Sequence, residues 1–103
     1  MPISIIKQVE SEFDGIYRIT TENGLILDVS EKTKPKIDSS IEYCLENVGT
    51  KDHVIMNGTF FDVSLTGIFV SFGGLMGNIP FLPKDKQKLN LMKDIRLSYK
   101  IIN

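Results

Sequence analysis

Hydrophobic and polar residues alternate along most of this chain, and a period of two predicts β-strands rather than helices. The pattern is clearest near the C-terminus, where every second residue from Ile95 to Ile101 is hydrophobic and the residues between them are polar. Similar segments, rich in β-branched and aromatic residues, recur at short intervals before it. The predicted strands cover residues 3–9, 16–21, 25–29, 41–45, 53–63, 68–72 and 95–102, and the apolar pattern resumes after residue 74 with Leu75, Met76 and Ile79.

Turn-forming pairs separate the first predicted strands. Asp14-Gly15 and Asn23-Gly24 are dipeptides typical of tight hairpin turns. Two hairpins at this spacing predict an antiparallel meander. The charged segment 30–38 contains a proline, which cannot take part in a central strand, so it predicts a loop.

Residues 53–63 allow two interpretations. The pair Asn57-Gly58 would normally indicate a hairpin. The arms on either side are only about four residues each, which is short for two independent strands. We therefore predict one strand through this segment, with a kink or bulge at Gly58.

A pair of glycines interrupts the next hydrophobic segment. Ile68, Val70 and Phe72 fall on one face of a strand, and Gly73-Gly74 follows directly. Glycine tolerates positive φ and lets a backbone pass close to another, so the pair predicts a barrel corner or a docking edge. The alternative is a hairpin turn within an ordinary all-β core.

The number of strands predicts the fold class. About eight short antiparallel strands without a substantial helix are most simply accommodated in an all-β, closed or nearly closed antiparallel barrel, which also protects the edge strands. A single helical turn is expected within residues 80–93, with Pro83 near its start. A length of 103 residues predicts one domain, covering residues 1–103.

The composition is that of a globular protein. Hydrophobic residues make up 42% of the chain and charged residues 24%. No apolar run reaches the ~20 residues that span a bilayer, and the N-terminus does not resemble a signal peptide. Cys44 is the only cysteine, so no internal disulfide can form. From these features we expect an intracellular protein.

Candidate catalytic residues are few. His53 is the only histidine, and its neighbour Asp52 would point to the opposite face of a strand, so a catalytic dyad is not expected. Cys44 lies on the polar side of its strand. The aspartates are scattered through turns and strand ends, without the spacing of an acid–base pair or a calcium loop. We predict no catalytic residue, no metal and no cofactor.

Six aromatic side chains could either fill the core or form a base-stacking platform. The net charge of −1 lacks the basic excess that usually accompanies such platforms, so the core interpretation is favoured. The six residues are Tyr17, Tyr43, Phe60, Phe61, Phe69 and Phe72.

Several segments, in the same order, resemble a known family. Val70–Met76 resembles the signature segment of the small shared subunit of eukaryotic DNA-directed RNA polymerases, the eighth in order of size. Leu25–Val29, His53–Phe61 and Ile95–Ile102 resemble other strands of that subunit. The resemblance extends from about Phe13 to the C-terminus, although a long acidic excursion common in the family is missing near residues 47–52.

The resemblance implies a barrel of two OB-like halves and a non-catalytic, structural role. It implies that the chain docks on the largest polymerase subunit and contacts nucleic acid only indirectly. A cellular subunit would be nuclear, whereas a shortened viral version would act in the cytoplasm or virion. The predicted partner-binding residues are Phe72, Gly73, Gly74, Leu75 and Met76.

Two other hypotheses belong to different functional classes. The first is an autonomous OB-fold domain that binds single-stranded nucleic acid. The second is a small β-barrel enzyme. Salt-dependent affinity of the isolated chain for DNA would separate the first from the polymerase hypothesis.

Overall fold

The structure is a computed structural model that describes residues 3–45, 54–63, 67–80 and 94–102. These residues form eight β-strands. The strands are β1 (Ile3–Phe13), β2 (Ile16–Thr21), β3 (Ile26–Ser30), β4 (Ser40–Leu45), β5 (Val54–Val63), β6 (Gly67–Phe72), β7 (Leu75–Pro80) and β8 (Asp94–Ile102). Within these ranges there is no helix, and so none that is long and apolar enough to cross a membrane.

All eight strands belong to one antiparallel sheet that closes into a barrel in the order β1-β2-β3-β7-β6-β5-β8-β4. Strands β1–β3 form one meander and β5–β7 form another. The two meanders meet directly between β3 and β7, and β8 and β4 complete the ring on the other side. The predicted all-β barrel of about eight strands is confirmed. The expected helical turn falls on residues that lie almost wholly outside the described ranges.

The barrel interior is filled by the alternating hydrophobic residues of the sequence pattern. Leu27 and Val29 of β3, Val70 of β6 and Leu97 of β8 are each fully buried. Because neighbouring residues of a strand point to opposite faces, the period of two places one set inside and the other outside. The core consists of Ile6, Ile19, Leu25, Leu27, Val29, Ile41, Tyr43, Ile68, Val70, Phe72, Ile79, Ile95, Leu97 and Tyr99.

Strand β5 is continuous, as predicted, and Asn57-Gly58 is not a hairpin. Its first part pairs with β8 and its second part with β6, with Thr59 paired on both sides. The register irregularity lies between Phe60 and Asp62 rather than at Gly58. Gly58 has another role, because a Cβ there would lie 2.5 Å from the Ser71 carbonyl oxygen. Only glycine allows the two strands to approach this closely.

Strand β1 is longer than its hydrophobic pattern predicted. It runs to Phe13, although the side chains from Glu10 onwards are exposed. This outer part is held by backbone pairing with β2, including Glu10 with Arg18 and Ser11 with Tyr17. Backbone hydrogen bonds do not require burial of side chains, so the pattern alone could not show the extension.

A polar network closes the end of the barrel at the turn between β2 and β3. The Asn23 side-chain amide donates to the Tyr43 hydroxyl at 2.7 Å, and Thr21 donates to the Asn23 carbonyl oxygen at 2.6 Å. The Asn23 backbone N–H donates to the Ser4 hydroxyl at 3.2 Å. Ser4, Thr21 and Tyr43 are buried, so this network satisfies polar groups that would otherwise be costly to bury.

Candidate docking site

The glycine pair is the loop of a tight hairpin between β6 and β7. Phe72 pairs with Leu75, which leaves Gly73 and Gly74 as a two-residue loop. Their φ angles are 66° and 101°, as in the type I′ turns that suit the twist of antiparallel strands. Both glycines are exposed, and a Cβ on either would meet no atom within 4 Å. Of the two sequence interpretations, the structure shows the hairpin turn.

The five predicted partner-binding residues are contiguous in this hairpin but differ in exposure. The Phe72 ring is only 7% exposed and belongs to the core. Leu75 is half-buried and packs against the core, whereas Met76 is half-buried and is not part of that cluster. The accessible surface of the segment therefore comes from Gly73, Gly74, Leu75 and Met76.

The Phe72 ring is enclosed by two further glycines. A Cβ on Gly58 would lie 2.6 Å from the Phe72 Cδ1 atom, and one on Gly77 would lie 3.1 Å from its Cε2 atom. The absence of side chains at these positions makes the space for the ring. The ring in turn fixes the strand that leads into the exposed loop.

A buried carboxylate anchors the other strand of the hairpin. Asp28 of β3 accepts a hydrogen bond from the Met76 backbone N–H at 2.9 Å. It also accepts two hydrogen bonds from the Arg18 guanidinium, at 2.8 and 3.2 Å. Asp28 is only 4% exposed, so all three bonds form in a partly dry environment. In the sequence Asp28 is one of several scattered aspartates, and no local pattern indicates this role.

The Arg18 guanidinium is bonded to the Asp28 carboxylate of this anchor. Its hydrogen bond with Asp28 raises the pKa of the guanidinium above its ordinary value, and the Asp28 charge adds to this effect. Glu12 lies 3.6 Å away as a second, more distant carboxylate. The sequence places Arg18 and Asp28 on adjacent strands of the predicted meander, which is compatible with an ion pair. Only the pairing register shows that the two residues lie directly opposite each other.

The aromatic residues partly follow the core prediction. Tyr43 and Phe72 are buried, Tyr17 is half-buried against the core, and Phe69 is half-buried. The side chains of Phe60 and Phe61 lie outside the described part. Tyr99 lies on the hydrophobic face predicted for the last strand, and it is the largest fully buried side chain among the described residues.

The residues considered for chemistry do not converge in the described part of the chain. Asp38 forms an exposed ion pair with Lys7 at 3.2 Å, and Asp28 is bonded to Arg18. Cys44 is half-buried, and His53 lies outside the described residues. Among the residues that are described, no group of three His, Cys, Asp or Glu side chains could hold a metal ion.

No model of a known protein family matches the chain, and no curated protein matches it at a significant level.

Proposed function

We propose that this chain is a non-catalytic structural subunit of a multisubunit DNA-dependent RNA polymerase, and that its β6–β7 hairpin docks on the largest subunit. The proposal joins the resemblance of residues 70–76 to the geometry of that segment. It follows that the protein acts where its polymerase acts, in the nucleus for a cellular enzyme or in the cytoplasm or virion for a viral one.

The structural feature that supports the proposal is an exposed loop between two strands that are both anchored to the barrel. Gly73 and Gly74 have open space around them, while Asp28 bonds the Met76 amide and the Phe72 ring lies in the core. A loop anchored on both sides loses little conformational freedom on binding, which reduces the entropic cost of association.

The side chains of the hairpin suit a protein partner. The glycines allow another backbone to come close, and the exposed parts of Leu75 and Met76 can be buried against apolar side chains. A small apolar projection of this kind can be buried against a complementary apolar surface of a partner.

The rival hypothesis of single-stranded nucleic acid binding has less support. Such sites combine exposed aromatic rings with cations that are free to bind phosphate. Here Tyr43 and Phe72 are core residues, and the Arg18 guanidinium is bonded to Asp28.

The test is purification of the tagged chain from its native cells, followed by mass spectrometry of the recovered proteins. We expect the largest polymerase subunit and further polymerase subunits in stoichiometric amounts. Recovery of the chain without any polymerase subunit, under salt conditions that preserve the polymerase, would refute the proposal.

A further inference from the structure

One edge of strand β1 is paired over only part of its length. Ile3–Ile5 pairs with β4, and Ile6 exchanges two backbone hydrogen bonds, of 2.8 and 2.9 Å, with the segment just before β4. Beyond Ile6 the strand continues to Phe13, paired with β2 on its other edge. Within the part of the chain that the structure describes, no strand lies beside residues 8–13 on the β4 edge. These residues are the free edge of β1.

The free edge has the length and regularity that an added strand requires. It extends over about 20 Å, the usual length of a strand. Because alternate residues of a strand direct their N–H and C=O groups to opposite edges, about three residues present these groups away from β2. The register is irregular at both ends, but Gln8–Ser11 pairs with β2 without interruption. Unpaired backbone donors and acceptors along a regular strand are a template for another strand.

The side chains of the free edge leave it accessible. All are exposed except Val9, which is half-buried. Phe13 is 74% exposed, so its ring is available to pack against a side chain of a neighbouring strand. The free edge contains neither proline nor lysine, two residues that commonly prevent strand pairing at exposed edges.

The charges beside the free edge select the chemistry of a partner. Glu10 lies opposite Arg18 in the ladder with β2, and the Glu12 carboxylate lies 3.6 Å from the Arg18 guanidinium. That guanidinium is already bonded to Asp28 at 2.8 Å. Three carboxylates therefore share one guanidinium, which leaves an excess of negative charge. A strand with lysine or arginine at alternate positions would place cations next to Glu10 and Glu12.

We propose that the free edge of β1 binds an extended, basic segment of a partner protein, which adds to the barrel as a further β-strand. Backbone hydrogen bonds supply affinity in this binding mode, and the pairs with Glu10 and Glu12 supply selectivity. Strand β1 is not paired with either strand of the β6–β7 hairpin. The proposal does not depend on the polymerase assignment, because it is tested on the chain alone.

Other occupants fit the free edge less well. A second copy of the chain would bring together two edges with the same excess of negative charge, because Lys7, which precedes the free edge, is already paired with Asp38. A nucleic acid would meet the same repulsion between its phosphates and the carboxylates.

The test is an NMR titration of the full chain with the peptide Ac-Lys-Thr-Lys-Val-Lys-Thr-NH2 at neutral pH and constant ionic strength. We expect saturable shifts at the amides of residues 8–13 and nuclear Overhauser effects between the peptide and β1. The dissociation constant should be on the order of 0.1–1 mM, because a short peptide loses conformational freedom on binding. The same peptide with glutamate in place of each lysine should bind about tenfold more weakly or worse. Absence of saturation, or equal binding of the acidic peptide, would overturn the proposal.

Two N-methylated forms of the basic peptide separate strand addition from simple charge attraction. Methylation of every second backbone nitrogen removes the N–H groups along one edge of an extended peptide and leaves those along the other. The form that is methylated on the edge facing β1 should lose binding, whereas the alternate form, with the same charge, should retain it. Equal binding of the two forms would refute strand addition.

Variants of the chain test the acidic residues. Glu10→Gln combined with Glu12→Gln should weaken binding of the basic peptide by roughly three- to tenfold, since each exposed ion pair contributes little. The matched control is Glu22→Gln, an exposed carboxylate in the turn after β2, which should leave the affinity unchanged. Equal weakening in the control would refute the pairing with Glu10 and Glu12. Sedimentation of the chain alone should show a monomer, and a dimer joined through β1 would assign the free edge to a second copy and overturn the proposal.

Discussion

Gly74 has a φ of 101° in the exposed hairpin loop, and few residues other than glycine adopt this conformation without strain. A β-branched residue there should strain the turn by about 1–3 kcal/mol. Because a Cβ at this position meets no atom within 4 Å, the strain does not arise from a collision within the chain. The described residues therefore leave room for this side chain, and in the proposed complex a collision would be with the docked partner.

We therefore predict that Gly74→Val impairs assembly with the polymerase more than it impairs folding. The matched control is Gly24→Val, since Gly24 has a φ of 95° in a turn with equally open surroundings. Both variants should lose similar amounts of thermal stability, but only Gly74→Val should be depleted from the purified complex. Equal incorporation of the two variants into the polymerase complex would show that the hairpin is not part of the interface.

Asp28 should contribute more to stability than an exposed ion-paired residue does. Asp28→Asn removes the charge that holds the Arg18 guanidinium and the Met76 amide, and hydrogen bonds to charged groups are worth about 1.5–3 kcal/mol. Lys7→Met, which breaks the exposed pair with Asp38, should cost about 0–1 kcal/mol. Urea denaturation of both variants measures the difference, and equal losses would contradict the anchoring role.

Tyr99 should limit stability at alkaline pH. Its pKa is raised in the folded state, chiefly by burial, so the folded protein retains the phenol proton above pH 10, where the unfolded chain loses it. The unfolded state then binds fewer protons, and the free energy of unfolding falls as the pH rises beyond 10. Tyr43, whose pKa burial also raises, adds to this loss.

Tyr99→Phe should therefore be more stable than the wild type, and increasingly so above pH 10. At neutral pH, removal of this buried hydroxyl, which has no hydrogen-bond partner within the described ranges, should stabilise the protein by about 1 kcal/mol. Thermal melts at pH 7 and pH 10.5 check both parts. A variant with a lower melting temperature at both pH values would show that the hydroxyl is satisfied in the native protein.

At the scale of single residues, the sequence predicted local backbone conformation better than it predicted contacts between residues distant in the chain. The positive φ angles at Gly73 and Gly74 could be expected from the sequence, because glycine has no Cβ and adopts such angles without strain. The bond between Asp28 and the Met76 amide joins residues 48 positions apart. No local pattern encodes such a contact, so it required the strand register.

Strand β5 shows how an element can depend on one missing side chain. A Cβ on Gly58 would lie 2.5 Å from the Ser71 carbonyl oxygen, which is backbone and cannot rotate away. At Gly77 the nearest atoms belong to the side chains of Leu27 and Phe72, at 3.1 Å. Side chains can shift by a few tenths of an ångström more readily than a paired strand can.

We predict that Gly58→Ala destabilises the barrel by about 2–3 kcal/mol and that Gly77→Ala costs clearly less, because overpacking against backbone is harder to relieve. Neither glycine has positive φ, so the comparison isolates steric effects. Chemical denaturation of the two variants provides the measurement. A larger loss for Gly77→Ala would show that the interior around the Phe72 ring is the less tolerant of the two sites.

The hydrophobic pattern predicted this strand correctly but not the detail within it. Arm length favoured one strand over a hairpin at Asn57-Gly58, and the structure confirms it. The position of the irregularity, between Phe60 and Asp62, is set by how β5 passes from β8 to β6. That transition belongs to the closed sheet and has no counterpart in a local sequence window.

Over the whole molecule, a net charge of −1 opposes tight binding of nucleic acid. Few counterions would be released from a phosphate backbone, so we predict weak affinity for single-stranded DNA or RNA at physiological salt. Fluorescence anisotropy with labelled oligonucleotides at physiological salt provides the measurement. A dissociation constant below about 1 µM would favour the nucleic-acid hypothesis over polymerase docking.

Barrel closure could be predicted at this scale because about eight strands leave two exposed edges unless the sheet closes. Which strands meet could not be predicted. The pairing of β3 with β7 and the position of β8 between β5 and β4 link segments distant in sequence, and alternation alone is compatible with many such orders.

The junction between β3 and β7 is the place where the closed sheet should open most easily. It is the shortest ladder that the described residues form, with two residue pairs, Ile26 with Asn78 and Leu27 with Gly77. The Asp28 side chain extends it by one bond, to the Met76 amide. Separation at this seam would leave each three-stranded meander intact and expose two strand edges at once. Hydrogen exchange should therefore be fastest along this seam among the barrel strands, and an open ring would offer those edges to a second molecule for strand exchange.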